Sequence, residues 1–123
     1  MRRARALCAL AALGLILGML WLGSKPIAVG AVGEGWDKLA HISLHLCVSL
    51  LLVTALGLRR GLWALLACAI FGAVDEILQG FYPGRSMSIA DWSADMVGAL
   101  LGLALAHLAA RQARLLQLLD KRR

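Results

Sequence analysis

Four apolar stretches, Leu7–Leu22, Leu39–Leu58, Leu62–Leu78 and Ala90–Ala110, take up most of the 123 residues and constrain the fold more than any other feature of the chain. An α-helix needs about 20 residues, with a range of roughly 17–25, to cross about 30 Å of hydrocarbon. The second and fourth stretches reach that length outright. The first reaches it by taking in Ala4–Ala6 or Gly23, and the third by continuing through Asp75 and Glu76. Lipid offers no partner to exposed backbone N–H and C=O groups, which excludes strands and open sheet at that depth. Composition agrees: 61% of residues are hydrophobic and 16% charged, against about 45–50% and about 25% in soluble domains. The expected fold is all-α, one integral membrane four-helix bundle spanning 1–123. Its helices are expected at about 6–23, 39–58, 62–80 and 90–110, followed by a basic amphipathic tail over 111–123 lying on the inner membrane surface.

The net charge of +6 is unevenly spread. Arg2, Arg3, Arg5, Arg59, Arg60, Arg111, Arg114, Lys121, Arg122 and Arg123 fall on one side of the membrane, and only Lys25, Lys38 and Arg85 on the other. Positive residues in short loops stay cytoplasmic, so both termini are expected inside. The basic excess is a topology signal, and no nucleic-acid partner is expected.

Met1–Arg5 resembles the n-region of a signal peptide, and Ala28-Val29-Gly30 has the small residues of a cleavage site. The apolar core exceeds the usual 7–15 residues, however, and cleavage would leave an odd number of helices, so a retained first helix is expected. Cys8, Cys47 and Cys68 fall in membrane segments without CxxC spacing and read as small apolar side chains. Gly14 and Gly18, like Gly98 and Gly102, have the GxxxG spacing that lets helix backbones approach closely. Each pair suits packing within the chain, with a homodimer contact as the alternative. The short Arg59-Arg60-Gly61 turn makes the second and third helices antiparallel neighbours, and Tyr82-Pro83-Gly84 marks a turn.

A charge in hydrocarbon costs about 2.5–3.5 kcal/mol or more, so polar residues within such segments face the bundle interior or a watery cavity. Residues at i, i+3, i+4 and i+7 share one helix face. Lys38, His41, His45 and Ser49 form one such stripe, Gly72, Glu76, Gln79 and Gly80 a second, and Asp91, Asp95, Gly98 and Gly102 a third. All three carry their polar residues at the outer end, where Arg85 from the connecting loop can fold over them. The expected site is a polar pocket just beneath the outer headgroups.

Three chemistries fit that pocket. Opposed carboxylates in low dielectric suit proton handling. Arg85 with Lys38 suits an anion. His41 and His45 at i, i+4, with Glu76 or Asp95, have a metal-like spacing. The last lacks the adjacent glutamate of HExxH, so no metal or cofactor is expected. Ser86 has no histidine placed by sequence to activate it as a nucleophile. His107, at the inner end of the fourth helix, reads as a packing or interface residue. Asp37 and Asp91 also suit simpler roles, as interface charges or, for Asp91, a helix cap.

These residues resemble the VanZ-like family of small bacterial membrane proteins. The match runs from Asp37-Lys38-x-x-His41 through Glu76-x-x-Gln79 and Pro83-Gly84-Arg85-Ser86 to Asp91, Asp95, Gly98 and Gly102. The resemblance implies a multi-pass inner-membrane envelope protein, in a family whose type member is linked to lowered teicoplanin susceptibility. It brings no established reaction. The chain departs from the family at His45, where an aromatic or apolar residue is usual, and at Asp95, where Asn is frequent.

The leading expectation is therefore a pocket that binds or modifies an anionic lipid or lipid-linked envelope precursor. Glu76 and Asp95 would handle protons and His41 would act as a relay. Lys38, Gln79, Arg85, Ser86 and Asp91 would contact the ligand. The alternative is a non-catalytic scaffold or small transporter subunit whose polar cluster locks the helices. A proton-coupled transporter is disfavoured, because no comparable acid lies at the midplane or in the inner half.

Overall fold

The computed structural model describes residues 2–25 and 34–121. Among them the chain is all helical and without strands: α1 is Arg2–Gly23, α2 Glu34–Leu56, α3 Gly61–Gln79 and α4 Ile89–Asp120. A single 3-10 turn, Leu58–Arg60, joins α2 to α3. All four helices are long and apolar enough to cross a membrane. The packing is that of a membrane protein. Leu10, Leu62, Trp63, Ile70 and Leu100 are more than half exposed, while His45, Ser49, Asp75 and Asp95 are buried. A soluble monomer rarely exposes apolar surface so continuously; here it is the face offered to lipid.

The core of the bundle is the pair α2 and α4, the most extensive contact between elements. The two helices run parallel where they meet, with Gly98 against Ile42 and Gly102 against Leu46. A Cβ on Gly98 would overlap the Ile42 carbonyl, and one on Gly102 would lie 2.6 Å from that of Leu46. Ser49 Oγ donates to the Ala99 carbonyl across the same seam at 2.8 Å, and Val48, Cys68 and Ala99 pack beside it. The Gly98/Gly102 pair is thus occupied inside the chain, against α2. Helix α3 covers α4 on its other side, where Gly72 admits Asp95 and Gly61 admits Leu103. Helix α1 is peripheral and buries only Ala12. Gly14 and Gly18 have nothing within 4 Å of where a Cβ would stand.

Several boundaries differ from the sequence expectation. Helix α2 begins at Glu34 rather than near residue 39, so the outer loop is shorter than Ser24–Lys38; a carboxylate such as Asp37 near a helix N-terminus is favoured by the macrodipole. The same helix ends before Gly57, whose φ of 92° suits glycine and breaks the helix two residues ahead of the expected Leu58. The largest difference is at the C-terminus. The expected tail over 111–123 is no separate element, because α4 runs unbroken for 32 residues to Asp120. After Gly102 no glycine or proline interrupts it, and Ala, Arg, Gln and Leu are all good helix formers. The Ala28-Val29-Gly30 site, most of the first outer loop and Arg122-Arg123 lie outside the described residues.

Candidate functional site

Helix α2 projects His41 and His45 inward one turn apart, both buried. Their Nδ1 atoms each stand 2.8 Å from the same oxygen, Asp95 Oδ1, on α4. A carboxylate accepts, so both rings donate through Nδ1. His45 Nδ1 also lies 3.3 Å from the His41 carbonyl, and its ring stacks on Phe71 of α3 with centroids 5.2 Å apart. Asp95 is 0% exposed and reaches this position only because Gly72 leaves no side chain in its way.

Helix α3 brings Asp75, Glu76 and Gln79 to the same layer, 2%, 3% and 4% exposed. Gln79 Nε2 donates to Asp75 Oδ2 at 2.5 Å. Glu76 Oε2 accepts from the backbone N–H of Ser88 at 2.7 Å. Ser88 is in turn the N-cap of α4, its Oγ accepting from Asp91 N at 3.1 Å. One carboxylate on α3 thereby holds the start of α4, so the geometry of the outer connection is tied to the polar layer. Four polar atoms in this region are sealed from solvent and have no hydrogen-bond partner: His45 Nε2, Glu76 Oε1, Asp91 Oδ1 and Asp95 Oδ2. Asp91 Oδ1 nevertheless stands 3.3 Å from Lys38 Nζ, so its charge is balanced even though the bond is poorly aligned.

Between α1, α2 and α3 lies a cavity of about 580 Å³. One end is polar, with Arg85, Asp75, Gln79 and His41 on its wall; the other is apolar, with Gly14, Gly18 and Leu44. The bare face of α1 is what leaves this space open. The three cations at this end of the bundle stand differently. Lys25 lies over the Trp21 ring, 4.7 Å from its centroid, and Lys38 pairs with Asp91. Arg85 borders the cavity, and among the described residues no carboxylate approaches it within 4.0 Å.

The three helices thus bring His41, Glu76, Gln79 and Asp95 together at one level, with Arg85 at the cavity. Lys38, expected to share an anion with Arg85, instead faces Asp91 on the rim. Ser86 is exposed and does not line the cavity. His107 is exposed on the distant half of α4. Two residues to which sequence reasoning gave no catalytic or ligand-contact role, Asp75 and His45, stand in the polar layer. Asp75 belongs with Gly72, Glu76 and Gln79 at spacings of 3, 4 and 7 from Gly72, a full i, i+3, i+4, i+7 face that was there to be read. His45, set apart by the family comparison, packs on Phe71 as an aromatic residue would while holding Asp95 through its nitrogen.

The sequence model of the VanZ/LLP1 family matches residues 4–110. No curated protein and no solved structure matches the chain.

Proposed function

Because the chain belongs to the VanZ/LLP1 family, we propose that it is an inner-membrane protein with both termini cytoplasmic, whose outward-facing cavity binds or modifies an anionic lipid or a lipid-linked envelope precursor. At the family level this membership links it to antibiotic resistance. The observation that carries the reading is the two-ended cavity, with the Arg85 guanidinium at its polar end and the Gly14/Gly18 face of α1 at its apolar end. A ligand site is usually a mostly apolar concavity with a few polar groups that fix orientation. An amphiphile meets both demands, its headgroup on Arg85 and its chain along α1. Arginine suits phosphate or carboxylate because its planar fork binds either through two parallel bonds. Gln79 and His41 would contact the headgroup, and Glu76 and Asp95, at the same level, would accept or supply protons. Lys38, Asp91 and Ser86 form the outer rim over which a ligand would pass. The orientation is supported by the eight basic residues, among the described ones, that cluster toward the opposite end of the helices.

The test is lipid capture by the full chain in detergent, read by native mass spectrometry with phosphatidylglycerol, phosphatidylethanolamine and an undecaprenyl phosphate. Arg85→Ala should lower binding of the anionic lipids about tenfold or more, as expected for a lost charge-assisted bidentate contact of about 1.5–3 kcal/mol. Gly18→Leu, which fills the apolar end, should lower binding of all three. Unchanged retention in both variants refutes the reading. A second reading is favoured by the bonds from Asp95 to both histidines and from Glu76 to Ser88: the cluster locks the helices and carries no ligand. It predicts that Arg85→Ala, which breaks none of those bonds, is silent in every assay.

A further inference from the structure

We propose that His41, Glu76 and Asp95 form a binding site for a divalent transition-metal ion, zinc foremost, inside the bundle. One donor atom from each residue lies within 4.8 Å of the other two, and all three residues are buried. They come from α2, α3 and α4, so an ion there would join three helices. Ligands about 2.1 Å from zinc stand roughly 3.4 Å apart in a tetrahedron. The trio needs only side-chain adjustment to close to that spacing.

The stronger sign is how the carboxylates are held. Glu76 Oε2 is bound by the Ser88 amide and Asp95 Oδ1 by two imidazoles. The second oxygen of each, Glu76 Oε1 and Asp95 Oδ2, is dry and without a partner. Leaving an ionised carboxylate oxygen dry and unmatched costs several kcal/mol, and native interiors rarely keep such atoms in pairs. An ion held by His41 through Nε2, with Nδ1 left on Asp95 Oδ1, would offer these two oxygens the partner they lack. Outer bonds that fix one side of a ligand while its other side faces the metal are also the usual support of a metal site. His45 supplies one such bond, its ring kept in place by Phe71.

Charge points the same way. Asp75, Glu76 and Asp95 are three buried acids in one layer, whereas Lys38 is engaged by Asp91 and Arg85 is the nearby fixed cation. One imidazole with two carboxylates and no thiolate suits zinc, manganese or iron(II), while calcium and magnesium favour oxygen alone. Asp37, His41 and Asp91 also converge, but both carboxylates there are only half-buried and Asp91 already faces Lys38, so that trio needs no ion.

The inference shares His41, Glu76 and Asp95 with the lipid reading but does not rest on it, and it is tested with metal alone. Tag-free full-length protein in detergent is stripped with a chelator, desalted, and titrated with zinc or manganese chloride. Elemental analysis after a second desalting should find zinc retained stoichiometrically, and the melting midpoint should rise to a plateau. Glu76→Gln keeps the side-chain shape and an acceptor for Ser88 but removes the charge; zinc affinity should fall about tenfold or more, at the scale seen when metal-site support is lost. His107→Ala, on the far half of α4, should bind like the parent. Cobalt(II) should give visible d–d bands in the unmodified protein that zinc abolishes, a readout that needs no variant to fold. Absence of both retained zinc and cobalt bands overturns the proposal, as does a folded Glu76→Gln that binds zinc as tightly as the parent. Loss of lipid capture in Arg85→Ala with zinc retention intact separates this site from the cavity's ligand.

Discussion

Replacing Gly102 by alanine tests whether the glycine seam between α2 and α4 holds the molecule together. The added Cβ would lie 2.6 Å from the Leu46 carbonyl oxygen and 2.9 Å from Ser49 Cβ, where ordinary contact begins at 3.4 Å, so the helices must part by about 0.8 Å. A gap of 0.5–1 Å forfeits about a quarter to a half of each dispersion well along the seam. Such a shift also stretches the 2.8 Å Ser49–Ala99 bond to about 3.6 Å, beyond hydrogen-bonding range. Overpacking of this kind costs about 1–3 kcal/mol, and interhelical bonds in membranes average about 0.6 kcal/mol. The expected loss is therefore about 2–3 kcal/mol. Gly14→Ala is the matched control, because nothing lies within 4 Å of its Cβ position; it should be neutral, or gain up to about 1 kcal/mol of helix propensity. Both are measured by reversible unfolding in mixed micelles titrated with SDS. If Gly102→Ala unfolds within about 0.5 kcal/mol of Gly14→Ala, close backbone approach is not what stabilises the bundle, and the reasoning fails.

Asp95→Leu leaves two buried imidazole N–H groups without their shared acceptor and should cost about 3–5 kcal/mol in the same titration, whereas Asp95→Asn, which keeps an acceptor oxygen, should cost markedly less. Ser88→Ala removes the cap of α4 and should cost about 1 kcal/mol, with a shifted Trp92 emission, since the Trp92 indole donates to Ala69 across the adjoining helix pair. Deleting residues 111–123 should change the unfolding free energy by less than about 0.5 kcal/mol, because Arg111–Asp120 is exposed throughout. In intact cells, Ser86→Cys should react with an impermeant maleimide applied from outside, and Arg111→Cys should not; the reverse pattern inverts the proposed orientation.

The outlines of this architecture were legible because hydrocarbon leaves few choices. Length and apolarity marked four helices, and the 3, 4, 4 spacing of Lys38, His41, His45 and Ser49 marked the inner face of α2, which buries the last three. The glycines of α4 were legible as a close contact, but the partner was not: helical periodicity says that a face is small, never which backbone meets it. Asp75 shares that face by its spacing, but the sequence gives it no role of its own, since a polar stripe can be drawn through Glu76 without it. Helix α4 ran past its expected end because basic residues mark the interface, while helix continuation is decided by local propensity. Helix α1 gave the least away. An all-round apolar segment carries no sign that one side borders a cavity.

The unbroken run of α4 has a practical consequence. Its ten residues from Arg111 to Asp120 are all exposed and, at 1.5 Å per residue, extend about 15 Å as a continuation of the helix that anchors the bundle. At 13.1 kDa the protein is small for single-particle imaging. A helical partner spliced in phase onto Asp120 would move with α4 as one rod, so the partner's orientation would report that of the bundle, and mass could be added without touching any residue of the polar layer.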